Sequence, residues 1–279
     1  MSTTTIDFSD IDQYGHAPMA PELEPTTGTT GVNRILASAF GVKLVSDIPE
    51  RLSRHGLRPW LDGKRRRRLD RIRDSRLLFI HVPKNAGTSI CDRLYGAQMK
   101  HCSAIYYARC APDVLALPSF AIIRDPVDRF LSAFRYARSG GTRHRTISAP
   151  FQKHYGAFHT IDDAIDHLAE ARSPFDIDHV FRPQSWYVLD ARGRPAVDRL
   201  IPYEQIGDIG RRLGREELAS LPEFNRSREC RERPTACQLD FLHSFYEADF
   251  ALRHQALTGI PATVRATGPI GAPVPSFAG

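Results

Sequence analysis

The run Leu77, Leu78, Phe79, Ile80, His81 and Val82 constrains this chain more than any other stretch. It is long enough for a buried strand and too short for a helix. Pro83 ends it, and Lys84 to Gly87 form a tight polar loop. Thr88 and Ser89 then open a short amphipathic helix, Ile90 to Tyr95, closed by Gly96. A strand, a tight loop and a helix start in that order make an anion cradle. Backbone N–H groups at the helix N-terminus point toward the ligand, and the helix dipole favours negative charge there. Lys84 adds a cation, and Thr88 and Ser89 add hydroxyls able to hold phosphate or sulfate oxygens. The usual triphosphate loop, G-x-x-x-x-G-K-[ST], carries its lysine on the helix after the second glycine. Here the lysine precedes the glycine.

A second strand-to-helix junction follows at Phe120 to Phe134. Phe120 to Ile123 is apolar, and Asp125 is placed to cap a helix that begins at Pro126. Val127, Phe130, Leu131 and Phe134 form that helix's apolar face, while Asp128, Ser132 and Arg135 fall on another. Arg124 stands at the carboxyl end of the strand, where open α/β sheets bind ligands. Arg124 as a bidentate clamp and Ser132 as a hydroxyl donor can meet on one phosphate. The competing role for Arg124 is an ion pair with Asp125 or Asp128.

These two stretches carry a family resemblance. Pro83-Lys-Asn-Ala-Gly-Thr-Ser89 resembles the 5′-phosphosulfate loop of the carbohydrate sulfotransferases, which reads Pro-Lys-Thr-Ala-Gly-Thr-Ser; Asn85 replaces the common Thr. Arg124-Asp-Pro-x-x-Arg-Phe-Leu-Ser-Ala-Phe134 resembles the 3′-phosphate motif of the same branch, which includes heparan- and chondroitin-type enzymes and bacterial relatives. Asp178 to Tyr187 is similar to the His…Pro-Gln segment of bacterial members, and Leu221 to Ser227 to their late Asn-x-Ser loop. The resemblance spans roughly residues 76–255 and is dense only at the first two motifs.

The resemblance implies a P-loop-like sulfotransferase fold and, as cofactor, 3′-phosphoadenosine 5′-phosphosulfate (PAPS), leaving adenosine 3′,5′-bisphosphate as product. Pro83, Lys84, Asn85, Ala86, Gly87, Thr88 and Ser89 would hold the 5′ end, and Arg124 and Ser132 the 3′ end. The implied reaction is in-line displacement at sulfur by an acceptor hydroxyl, with Lys84 beside the leaving oxygen and a histidine as base. His101 lies between the motifs, where heparan-type 2-O-sulfotransferases place their base, and His179 lies in the Pro-Gln segment. His81, on the first strand, reads as a packed strand residue. No metal is required. The implied acceptor is a carbohydrate hydroxyl on a polysaccharide, oligosaccharide or glycolipid. Two alternatives stay open: a nucleotide-dependent phosphoryl-transfer enzyme, and a non-catalytic nucleotide- or polyanion-binding protein.

Length and composition frame the rest. The 279 residues leave room for one α/β domain with extensions or for two small domains. Apolar strands near 77, 120, 187 and 199, alternating with helices, predict a mostly parallel sheet flanked by helices on both faces. Residues 1–30 read as a loose leader and 31–75 as a helical, basic arm with patchy spacing broken by Gly41 and Pro49. Residues 76–255 read as the main domain and 256–279 as a Pro-, Gly- and Ala-rich tail. A capping box at Thr160 precedes a structural helix, and Leu239 to Leu252 reads as one amphipathic helix.

Charge is concentrated. Lys64 to Arg76 holds eight basic residues and two acids; outside it, the chain's remaining 30 basic and 30 acidic residues cancel. The run is a solvated helix face or an attractor of acidic polymer. No aromatic residues interleave it, which argues against nucleic acid. No apolar run approaches the roughly 18 residues of a membrane span, which leaves peripheral membrane contact open. The opening residues lack signal-peptide character, and five cysteines without a C-x-x-C pair fit a reducing cytosol. The expected location is therefore cytoplasmic. Oligomeric state has no sequence signal.

Overall fold

The structure, a computed structural model, describes residues 31–142, 145–221 and 232–261. The leader 1–30, most of the Asn-x-Ser loop and the end of the tail lie outside these residues. In chain order come α1 (Gly31–Ala39), α2 (Ile48–Arg54), α3 (Gly63–Ser75), β1 (Leu78–Ile80), α4 (Gly87–Tyr95), α5 (Ala104–Cys110) and α6 (Pro112–Leu115). Next are β2 (Ser119–Ile123), α7 (Pro126–Arg138), the short ribbon β3 (Gly141–Thr142) and β4 (Arg145–Thr146), α8 (Ala149–Tyr155) and α9 (Ile161–Ala169). The last are α10 (Gln184–Val188), β5 (Arg199–Pro202), α11 (Ile209–Leu213), α12 (Ala236–Phe245) and α13 (Glu247–Thr258).

The α/β reading holds at the level of class. β1, β2 and β5 form a small parallel sheet in that order, in register at Phe79 with Phe120 and Ala121 with Leu200. Successive strand residues face opposite sides, yet every residue of β1 and β2 is buried. Both faces of the sheet are therefore covered, as a parallel sheet requires. Ser119 opens β2 and donates from its N–H and its hydroxyl to Asp198, at 2.8 and 2.9 Å, which anchors β5 beside it.

Local signals did set several elements. Asp125 accepts from the N–H groups of Val127 and Asp128 at the start of α7, with Pro126 as its first residue. Thr160 and Asp163 form a reciprocal capping box at α9. Pro49, read as a break, instead lies in the first turn of α2, where its missing N–H costs nothing.

Two expectations are corrected. The strand expected near 187 is the one-turn helix α10; beyond it Leu189 and Pro195 make only an isolated antiparallel bridge. The cause is distant in sequence. The Asp249 carboxylate accepts from the N–H groups of Gln184 and Ser185, at 2.7 and 2.8 Å, and caps the turn from another helix. The helix expected over Leu239 to Leu252 is two, α12 and α13, broken at Tyr246 (φ −106°, ψ 24°). The break directs the buried Tyr246 hydroxyl to Phe181 O at 2.8 Å.

The 31–75 segment is built into the same body as the sheet. Asp47 meets Arg182, the Glu50 carboxylate accepts from Ser103 N and Oγ at 2.7 and 2.8 Å, and Arg54 donates to Trp186 O. Among the described residues no helix is long and apolar enough to cross a membrane.

Candidate functional site

The loop between β1 and α4 is backbone under tension. Lys84 (φ 68°) and Ala86 (φ 56°) both sit in the left-handed region, and neither is glycine. Each such residue costs on the order of 1–2 kcal/mol and persists only when its surroundings fix it. Asn85, between them, does the fixing. It is fully buried, and its Nδ2 donates to Ile122 O and to Gln184 Oε1, both at 2.7 Å. The side chain expected to face a cofactor is thus turned into the protein, and only its backbone remains for a ligand. Left-handed turns of this kind aim successive N–H groups to one side and make anion-binding concavities. Ala86, the N-cap of α4, has no side chain to accept from that helix's first N–H groups.

Gly87 is required by what lies beneath it. A Cβ there would stand 1.9 Å from His81 Cδ2 and 2.1 Å from Nε2. His81 is the packed strand histidine anticipated from its position, with Nδ1 3.3 Å from Met99 O. Loop and imidazole are therefore in direct contact. Thr88 is half-buried, and its carbonyl accepts from Gln98 at 3.2 Å. Ser89 is buried in the first turn, and Pro83 closes the strand side.

Three cations surround this loop. Gln184 clamps the Arg124 backbone: its Oε1 accepts from Arg124 N at 3.0 Å and its Nε2 donates to Arg124 O at 2.8 Å. The Arg124 guanidinium lies over the Tyr203 ring at 4.7 Å and donates from Nη1 to Lys84 O at 3.3 Å. The alternative pairing of Arg124 with Asp125 or Asp128 does not occur; Asp125 faces Arg253 at 3.4 Å. Lys84 Nζ sits 4.4 Å from the Tyr136 ring centre. Burial first, and then the charges of Arg124 and Arg135, push the Lys84 amine down to about 8. Arg124 Nε and Arg135 Nε are buried without hydrogen-bond partners. None of Lys84, Arg124 and Arg135 has a carboxylate partner among the described residues. The neighbouring buried arginines each have a carboxylate: Arg129, which also donates to Val180 O and Arg182 O, lies 4.0 Å from Asp249, and Arg182 is paired with Asp47.

Ser132 is buried on α7, one turn before Arg135, but no hydrogen bond ties its hydroxyl to Arg124 or Lys84. The structure thus joins Lys84 and Arg124 directly and leaves Ser132 nearby on α7 without a direct tie.

The two histidine candidates are adjacent. The His101 and His179 rings stand 6.0 Å apart, centre to centre, edge to face, and His101 lies 4.2 Å from His81. His101 Nδ1 is 3.0 Å from His81 O. A carbonyl only accepts, so that nitrogen carries the proton and, in the neutral ring, Nε2 carries the lone pair. His179 Nε2 is 2.8 Å from Asp47 Oδ1, so the same reasoning places its lone pair on Nδ1. Burial drives the Asp47 carboxyl up, but Arg182 and His179 outweigh it and hold the group well below the usual carboxylate range. Asp47 is thus a fixed anion behind His179.

Asp47, Gln184 and Arg135 are the contributors sequence reasoning did not assign. Gln184 had a signal, since it ends the Pro-Gln segment. Arg135 shares a helix face with Ser132. Asp47 carries none, because its partners lie 132 and 135 positions away. No group of three or more side chains suited to a metal ion occurs among the described residues. Comparison with protein-family models, with curated proteins and with solved structures finds no match to this chain.

Proposed function

We propose that the protein transfers a sulfuryl group from PAPS to a hydroxyl, in keeping with the resemblance of its two motifs to the carbohydrate sulfotransferases, and that the acceptor is a carbohydrate. One observation carries this reading. Lys84, Arg124 and Arg135 converge on a left-handed loop with no counter-ion among the described residues. Uncompensated, partly desolvated positive charge of this kind is costly unless an anion completes it.

PAPS supplies an activated sulfuryl group when bound; the other tasks fall to the chain. The backbone of Asn85 to Ser89 and the start of α4 would hold the 5′ end, and Arg124, with Ser132 on α7, the 3′-phosphate. Lys84 lies on the loop itself, where it would meet the negative charge that grows as the sulfur–oxygen bond to the nucleotide breaks. The acceptor oxygen would take up the sulfur as that bond breaks, and its proton would pass to His101 Nε2. His179, oriented by Asp47, lines the same side.

The reading is tested by calorimetric titration with adenosine 3′,5′-bisphosphate, adenosine 5′-phosphate and ATP. Wild type should prefer the bisphosphate, and Arg124→Ala should lose that preference by weakening it roughly 10- to 100-fold, a charge-assisted bidentate contact's worth. Equal losses for adenosine 5′-phosphate would remove Arg124 from the 3′ site. ATP binding as tight as the bisphosphate would replace sulfuryl by phosphoryl transfer.

The histidines separate by a second experiment. His101→Ala should bind the bisphosphate as wild type does and lose about 10²–10⁴-fold in transfer, the usual contribution of a general base. His179→Ala should lose less. The reverse order would exchange the two roles.

A further inference from the structure

The basic run that the proposed chemistry leaves unused sits on α3, and its start is joined to an exposed apolar tip. Trp60 is 78% exposed and Leu57 56% exposed. Scattered singly, exposed apolar side chains are ordinary; two within four residues, next to a run of cations, form a patch. They stand in the turn just before Asp62, which caps α3 by accepting from Arg65 N at 2.7 Å. On α3 itself Leu69 and Ile72 are buried, which fixes the inner face. Lys64 and Arg67, one turn apart, fall on the outer face. Arg66 lies on the flank, with its guanidinium 5.9 Å from the Trp60 ring centre, and a shallow concavity joins it to Arg58 and Trp60. Arg58, Lys64, Arg66 and Arg67 are all exposed and lack a carboxylate partner among the described residues.

We propose that this tip and the start of α3 form a docking surface for an anionic lipid bilayer. An exposed indole and an exposed leucine three residues apart in the chain suit the boundary between headgroups and acyl chains, and the cations near Trp60 suit acidic headgroups. An acidic polysaccharide would be held by the same charges but gives no reason for both Leu57 and Trp60 to stand exposed. The docking itself does not depend on sulfuryl transfer.

The test is co-sedimentation of the full chain with vesicles of phosphatidylcholine alone and of phosphatidylcholine with phosphatidylglycerol, some carrying brominated acyl chains. The two tryptophans make this readable, because Trp186 is held against Arg54, at 4.0 Å, and Phe175 while Trp60 is bare. Binding should occur only with phosphatidylglycerol, weaken with salt, and quench fluorescence that Trp60→Phe abolishes. Arg66→Glu/Arg67→Glu, two changes on an exposed surface, should weaken partitioning at least about thirtyfold. Arg124→Ala should bind vesicles as wild type does, which separates this surface from the nucleotide site. Equal binding to neutral vesicles, binding without quenching, or indifference to the double charge reversal would each overturn the proposal. So would retention of the chain by dextran sulfate with no vesicle binding, which would make the surface a polysaccharide site.

Discussion

Replacing Arg182 by alanine should cost about 3–5 kcal/mol of folding stability, the usual penalty for orphaning a buried charge. Arg182 is fully buried and every part of its head is engaged. Two nitrogens meet Asp47, Nε donates to Pro174 O at 2.6 Å, and a further bond reaches Ile177 O at 3.2 Å. Asp47 is itself 1% exposed. Removing the guanidinium leaves that carboxylate inside the protein with the His179 ring as its remaining side-chain partner. Denaturant unfolding at neutral pH measures the loss, and a loss below about 1 kcal/mol would show that the pair contributes nothing beyond a surface bridge. The pH dependence gives an independent check. The folded Asp47 carboxyl lies below its ordinary value of 3.8, so it binds fewer protons folded than unfolded. Its stabilisation is present above that value and disappears as pH falls through the folded one. Wild type should show this acid loss, and Arg182→Ala should lack it. The double variant Asp47→Leu/Arg182→Met should recover most of the stability, because a buried pair replaced by apolar groups is often neutral or better.

That pair also shows where the sequence stops being readable. Elements whose cause is local were legible. The Asp125 cap with Pro126 behind it and the Thr160 capping box are set by residues within a few positions of one another. Features whose cause is distant were not. Residues 184–188 have the apolar look of a strand, yet two N–H bonds to Asp249, 65 and 64 positions away, wind them into a turn of helix. Asn85 looks like one more polar ligand in a phosphate loop. Its partner Gln184, 99 positions on, makes it instead the strut that holds two left-handed residues in place. The same glutamine holds both backbone groups of Arg124. The two motifs recognised separately in the sequence are thus one unit, tied by a side chain between them. Asp47 lies in a segment read as an arm outside the main domain, and it supplies the anion behind one candidate base.

Lys84→Ala should lower turnover about 10²–10³-fold while changing affinity for adenosine 3′,5′-bisphosphate only a few-fold. The asymmetry follows from position. The loop backbone, the start of α4 and Arg124 hold the nucleotide whether or not it reacts. The Lys84 cation gains most when the leaving oxygen becomes negative, and a group that acts chiefly in the transition state shows its loss in turnover. Its charge is also conditional. Burial, Arg124 and Arg135 bring the amine down to about 8, so the free protein begins to lose this cation within an accessible range. Activity measured as kcat/KM, which reports the free enzyme, should therefore fall as pH rises through about 8. An arginine stays charged at that pH. Lys84→Arg should keep part of the activity and shift the alkaline fall upward, which no purely structural role for the lysine would produce. Steady-state transfer assays across pH on the three proteins decide the matter. Wild-type turnover in Lys84→Ala would confine the residue to shaping the loop, and with bisphosphate binding intact it would place the transition-state charge on Arg135, the cation of the cluster not assigned to the 3′-phosphate.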